Sequence, residues 1–201
     1  MPKLVDHTLK KREIIEATWR VVAARGFEAA TMREIAAAAG HANGALSYYF
    51  ANKEELLQAT YMFVWEETNR RIAARLDGAV GVDAIRIYWE EISPSTELAA
   101  LEAKIVLPFF ARAATDSTLG RITARTLNQW RQELTVHVEQ ARAARQIVVA
   151  VSTPLIVEQL LTMLMGLQIV ATDAPVPNDR EHQRAILAAY LGLLGVAPEA
   201  C

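Results

Sequence analysis

Apolar residues return at every third or fourth position along nearly the whole chain, the period of a helix with one buried face. Ile14, Ala17, Val21 and Ala24 mark the first such stripe, over residues 9–24, with Thr8 as its expected N-cap and Gly26 as its stop. Thr31 followed by Glu34 has the spacing of a capping box and predicts a second helix, which Gly40 ends. A third, short helix is expected over residues 42–48. Asn52 with Glu55 repeats the capping-box spacing and opens a fourth helix to about residue 76, before Gly78 and Gly81. Five more are predicted at 82–92, 96–114, 117–145, 154–172 and 179–194, separated by ISPS, TDST, STP and DAPVPND. Pro108 falls inside the sixth and predicts a kink there. The β-branched run Ile147–Val151 is strand-like in composition. With no partner run elsewhere, it is expected to lead into the next helix. The chain therefore reads as all-α, with about nine helices.

The last two predicted helices are apolar on nearly all sides (LLTMLMGLQIV and AILAAYLGLLG). Helices of that composition are buried, either in their own core or against a second subunit. The most apolar uncharged stretch, residues 159–172, is 14 residues long, short of the ~20 a membrane span needs. The N-terminus has no apolar leader-like segment. A soluble, cytoplasmic protein with no membrane association is the expectation. Composition adds that a chain of 201 residues, 52% of them apolar, can bury a sizeable core. A net charge of −2 is no basic signature, but the charge is unevenly spread. Residues 1–55 hold 8 Lys+Arg against 7 Asp+Glu, and the remainder 13 against 16. Lys3, Lys10, Lys11 and Lys53, four of the five lysines, lie in that first quarter, which fits a weakly cationic head on an acidic body. Cys201 is alone, so no intrachain disulfide is available. His7, His41, His137 and His182 stand apart, without metal-ligand spacing, and neither a phosphate loop nor a nucleophile elbow is present. No enzyme, metal or cofactor is expected.

The stretch GHANGALSYYFANKEELL, from Gly40 to Leu57, carries the chemistry. Two short helices joined by a glycine turn form the helix-turn-helix pattern, whose second helix is short because it enters the major groove of DNA. Gly40 supplies the turn, and Gly44 leaves the backbone bare beside DNA at a cost of roughly 1 kcal/mol in a helix interior. Asn43 suits base edges or phosphate, and Ala45 a thymine methyl. Tyr48 and Tyr49 place hydroxyls within reach of phosphate, while Leu46 and Phe50 anchor the segment in the head's core. Lys53, in the first turn of the fourth helix, adds a cation beside amides that already favour an anion.

From Arg12 to Leu57 the sequence resembles the TetR family of bacterial transcriptional regulators, through ARGFEAAT, TMREIAAAAG, GALSYYF and NKEELL in that order. The resemblance implies a helix-turn-helix DNA-binding domain at 1–53 and a larger domain at 54–201 that binds a small molecule and dimerises. It places Thr31 and Arg33 where the second helix approaches the DNA backbone. Asn43, Gly44, Ala45 and Ser47 fall on the recognition helix, and Tyr48, Tyr49 and Lys53 at phosphate-holding positions. The expected partners are double-stranded operator DNA, an unidentified effector, and a second copy of the chain through residues 154–172 and 179–194. Two departures stand out. His41-Ala42 replaces the family's usual valine-serine or valine-threonine, which forfeits roughly 1 kcal/mol of capping and predicts a third helix that is loose until DNA orders it. Ser47 stands where a tyrosine is frequent. The MPKL start and the serine before the aromatic pair look similar to the subgroup that controls glycine betaine synthesis in response to choline.

For the effector, the candidates are the large residues of the middle helices: Tyr61, Trp65, Tyr88, Phe109, Trp130 and Gln168. Glu102, within the nearly apolar LAALEAKIVLPFF, would balance a cationic ligand beside aromatic faces. The same residues also read as ordinary core, and Glu102 as a partner for an arginine. A ligand that tilts the fourth helix would change the spacing of two heads set to half-sites about 34–36 Å apart. A helical dimer that binds a ligand or protein but no longer reads DNA is the alternative function.

Overall fold

The computed structural model describes residues 2–26, 29–42, 44–171 and 179–197, with side chains from His7 onward. Among these residues there are eight α-helices, one short 3-10 helix and no strand. The α-helices are α1 (Pro2–Arg25), α2 (Met32–Ala38), α3 (Lys53–Leu76), α4 (Gly81–Ile92), α5 (Glu97–Ala113), α6 (Ser117–Ala143), α7 (Thr153–Val170) and α8 (Arg180–Leu193). Two compact units are present: residues 1–67 with 104–120, and residues 68–103 with 121–201.

Local chemistry explains most of the boundaries. Thr31 Oγ1 accepts from the Glu34 N–H at 3.2 Å while Glu34 Oε2 accepts from the Thr31 N–H at 3.0 Å, so the capping box forms in full. The Thr31 backbone N–H, then its hydroxyl, hold the Glu34 carboxyl below its ordinary value. Asn52 Oδ1 caps α3 by accepting from the Glu55 N–H at 2.8 Å, and Glu55 turns back to the Ala51 N–H rather than to Asn52. Asp116 opens α6 through the Thr118 and Leu119 amides, and Asp179 opens α8 through His182. The expected N-cap at Thr8 is overturned: α1 starts at Pro2, so Thr8 lies inside the helix. Proline is well suited to that first position, since it lacks the N–H a helix start leaves unbonded. α5 is assigned unbroken through Pro108. The run Ile147–Val151 is not a strand; its backbone is tied to neighbouring segments, with the Val148 N–H on the Leu194 carbonyl at 3.2 Å and Arg142 on the Val149 carbonyl at 3.2 Å.

In the first unit, Ile14, Ala17, Ile35, Leu46, Phe50, Leu56 and Leu57 are all at most 2% exposed. The second half of α5 belongs to the same unit, with Lys104 Nζ donating to the Ala23 carbonyl at 2.8 Å and Arg112 paired with Glu54 at 3.2 Å. The core of the second unit draws on Ile85, Trp89, Leu134, Ile156, Val157, Leu160, Leu164, Leu187 and Leu191. The uncharged stretch seen in the sequence is part of α7, whose 18 residues have a mean hydropathy of 1.5 and would suffice in length and composition to cross a membrane. Here Ile156, Val157, Leu160, Leu161, Leu164 and Gln168 of that helix are buried in the unit.

A chain of ion pairs ties the second unit's helices together. Arg71 holds both Glu102 oxygens at 3.0 and 2.9 Å and Glu91 at 2.9 Å. Arg75 bridges Glu91 and Glu90 at 2.7 Å each, and Arg184 on α8 reaches Glu90 at 2.7 Å. Burial pushes the Glu90 carboxyl up, but hydrogen bonds from Arg184 and Arg75 outweigh it and leave Glu90 below its ordinary value.

Candidate nucleic-acid interface

The recognition segment is not the α-helix expected over 42–48 but a single 3-10 turn, Ala45–Tyr48. The cause is local. Gly44, at its N-cap, has φ +94°, a left-handed conformation that an α-helix cannot include, and no side chain caps the segment. Ser47 compensates in part by donating its hydroxyl to the Gly44 carbonyl at 2.6 Å. The turn before it is fixed by Gly40 at φ +70°, with the His41 N–H on the Ala36 carbonyl at 2.9 Å. Asn43 lies outside the described residues.

The side chains on this segment divide between the core and the surface. Leu46 and Phe50 point into the core at 2% exposure each, while Tyr48 is 76% exposed. Tyr49 is half-buried and meets Tyr48 edge-on, with ring centroids 5.0 Å apart. Ser47 is exposed, Ala45 half-buried, and Lys53 half-buried in the first turn of α3. Thr31 and Arg33 are exposed at the start of α2, although Thr31 spends its hydroxyl on the capping box. Two further rings belong to the cluster: His41, one of the departures in the turn, and His7, which the motif reading passed over. His7 approaches Tyr49 at 5.0 Å and Tyr48 at 5.7 Å, and His41 approaches Tyr49 at 6.1 Å. His7 lay beyond the motif boundary, and only its presence on a helix extending back to Pro2 brings it here.

The residues named for an effector fall in both units. In the first unit Tyr61 stacks on Phe109, centroids 3.9 Å apart and rings 5° from parallel, and Trp65 is half-buried. In the second unit Tyr88 donates to Glu133 at 2.9 Å, Trp130 to Asn69 at 2.9 Å, and Gln168 to the Ile92 carbonyl at 2.6 Å. Burial, reinforced by the Glu133 carboxylate, raises the Tyr88 phenol well above its ordinary value. Glu102 is taken up by Arg71. A cleft of about 580 Å³ does open in this unit, but along α4 and α8, among Arg86, Glu90, Arg184, Leu187 and Leu191. No group of three or more metal-ligating side chains occurs among the described residues.

An all-helical protein with this turn and this sorting of side chains falls in the class of bacterial helix-turn-helix regulators. Residues 14–60 match the bacterial regulatory proteins of the tetR family, and residues 82–195 match the C-terminal domain of BetI-type transcriptional repressors. The chain belongs to the TetR family of bacterial transcriptional regulators. Over 72 residues it is 46% identical to the HTH-type transcriptional regulator PksA of Bacillus subtilis, covering 36% of this chain and 35% of PksA. Over 126 residues it is 30% identical to the HTH-type transcriptional regulator BetI of Burkholderia mallei, covering 61% of this chain and 64% of BetI. The aligned stretches thus span about a third and less than two thirds of these curated relatives. Solved structures share the fold. A transcriptional regulator from Rhodococcus sp. RHA1 superposes with a TM-score of 0.80 at 24% identity, over 94% of this chain and 99% of that one. A regulator from Saccharomonospora viridis, crystallised with choline, gives 0.80 at 17% identity, over 92% and 96%.

Proposed function

We propose that this protein is a cytoplasmic transcriptional repressor that binds a palindromic operator as a homodimer and is released by a small molecule. The observation that carries the reading is the recognition turn, where Tyr48 stands 76% exposed between two core anchors. The exposed groups of this segment are of the kind that bind phosphate and base edges. We assign DNA contact to Thr31, Arg33, Asn43, Gly44, Ala45, Ser47, Tyr48, Tyr49 and Lys53, within a functional head at 1–53.

Dimerisation is supported by an apolar face on α7 and α8. Leu155, Ile169 and Leu193 are 59%, 61% and 79% exposed, at helical spacing with the exposed Gly166, Ala185, Ala189 and Gly192. Large apolar residues left exposed at that spacing favour an interface over a solvated surface. The substitution Leu193→Asp is expected to turn a dimer into a monomer by light scattering at micromolar concentration, and retention of the dimer would exclude α8 from the interface.

For the effector we propose a small organic cation. The support is the abundance of aromatic residues in the middle helices, the resemblance to choline-responsive regulators, and the choline held by the structural neighbour from Saccharomonospora viridis. Aromatic faces and a carboxylate are the groups that recognise a quaternary ammonium. Tyr88, Trp130, Glu102 and Gln168 in the second unit, and Tyr61, Trp65 and Phe109 in the first, are the residues to vary.

The test is fluorescence anisotropy on the duplex upstream of the protein's own gene, against a scrambled duplex, over a range of salt. Selective binding that weakens steeply with salt is expected, with choline and related cations then screened for release. Tyr49→Phe is expected to weaken binding to both duplexes by a similar factor, and Asn43→Ala to change the preference between them. The reduction of the recognition segment to one 3-10 turn favours a second reading, a helical dimer that no longer reads DNA. Equal affinity for both duplexes at every salt concentration, persisting after the protein is refolded free of any bound effector, would favour that second reading.

A further inference from the structure

The ring cluster at the DNA face includes a residue that the helix-turn-helix motif does not. His7 stands 5.0 Å from the Tyr49 ring and 5.7 Å from the Tyr48 ring, and the Tyr48 side chain opens to solvent. A loose N-terminal arm would not hold a ring there. α1 begins at Pro2, so His7 is carried on helical backbone, and Lys11, one turn further on, places its ammonium 5.3 Å from the Phe50 centroid. His7 and Lys11 therefore share the face of α1 that meets the recognition turn. From that turn the groups facing His7 are the two phenols; on its own helix the nearest described cations are Lys10, paired with Glu13 at 2.8 Å, and Lys11. No described carboxylate is paired with His7. His41 touches the same cluster from the other side, through Tyr49, but its Nε2 is enclosed and without a hydrogen-bond partner among the described residues.

We propose that His7 is a further phosphate-contacting residue of the DNA face, and that it makes operator binding proton-linked, tighter at low pH than at high. The inference rests on the regulator reading above. An imidazole beside a phosphate gains a second donor and a positive charge when protonated, and the phosphate favours that form. The complex then holds more protons than the separated partners, so affinity rises as pH falls through the range in which histidines titrate. Lys11 supplies a pH-independent cation on the same face, so binding persists at high pH.

The experiment is anisotropy with the fluorescein-labelled upstream duplex and its scrambled counterpart at about pH 6 and about pH 8, the range histidine spans, each over a salt series. The parent is expected to bind the upstream duplex roughly three- to tenfold more tightly at the lower pH. Its salt slope should be steeper there by about 0.9 per head, about 1.8 for a dimer. His7→Gln should abolish both differences, so that affinity for the upstream duplex and its salt slope are the same at the two pH values. His7→Arg should bind tightly at both, which guards against a variant that has merely lost its fold. His41→Gln should keep the pH dependence. Selective binding that does not change with pH, or a pH dependence removed by His41→Gln and kept by His7→Gln, overturns the role of His7 and leaves the regulator reading intact. Failure to distinguish the two duplexes at any pH or salt overturns the regulator reading, and the proposal with it.

Discussion

Arg71→Ala is expected to lower the unfolding free energy by about 3 kcal/mol, the cost of breaking a buried ion pair from one side. Arg71 makes four side-chain hydrogen bonds, two to Glu102, one to Glu91 and one to Thr68. Burial works against its charge, yet Glu102 and then Glu91 outweigh that effect, and the guanidinium is held above its ordinary value. Without it, Glu102, 8% exposed, loses its bidentate arginine, and Glu91 keeps Arg75. The Arg71 and Glu102 side chains are still 21% and 11% exposed, so solvent screens part of the loss and the estimate stays at the lower end of the range for buried pairs. Urea unfolding at fixed protein concentration would measure it, because the proposed dimerisation would make stability concentration-dependent. A double-mutant cycle with Glu102→Gln gives the coupling directly. If the two substitutions were additive to within about 0.5 kcal/mol, the pair would not be a stabilising unit.

This pair also shows where a sequence stops being informative. Helix ends were legible because a cap is a local event: Thr31 with Glu34, and Asn52 with Glu55, act over three residues and need nothing from the rest of the chain. Glu102 is 31 residues from Arg71, and whether it faces a ligand or an arginine depends on how α3 and α5 pack. Aromatic stripes at helical spacing carried the same ambiguity. Tyr61 and Phe109, 48 positions apart in the chain, became one stack, while Tyr88 and Trp130 found separate polar partners. The recognition segment lies between these cases. Its core anchors, Leu46 and Phe50, and its outward Tyr48 followed from the helix-turn-helix pattern, and their burial and exposure agree. Its collapse to a 3-10 turn was signalled only by the missing cap at Ala42 and the glycine at 44, and the backbone angle at Gly44 settled it. His7 was missed because the apolar stripe begins only at Leu9 and Thr8 offered a nearer cap, although Pro2, suited to a first helical position, marked the earlier start.

Phe109→Ala is the second large effect, an expected loss of about 3–5 kcal/mol from a buried aromatic. Phe109 is 0% exposed and lies parallel to Tyr61 at 3.9 Å, so truncation removes both the buried area and the ring contact. The unit it stabilises is the one that contains the helix-turn-helix, since residues 104–120 pack with residues 1–67. Loss of stability should therefore appear as loss of DNA binding on warming, with the anisotropy midpoint following the unfolding midpoint. Phe109→Leu separates packing from recognition. Leucine refills most of the volume, and its stability cost should stay below about 1.5 kcal/mol, but it cannot present an aromatic face to a cation. If Phe109 serves only the core, the leucine variant should bind DNA and release it with the effector as the parent does. If it also touches the effector, the leucine variant should remain folded and DNA-bound while the concentration needed for release rises severalfold. A leucine variant as unstable as the alanine one would contradict both accounts, because it would mean that the ring contact with Tyr61, rather than buried volume, holds this unit together.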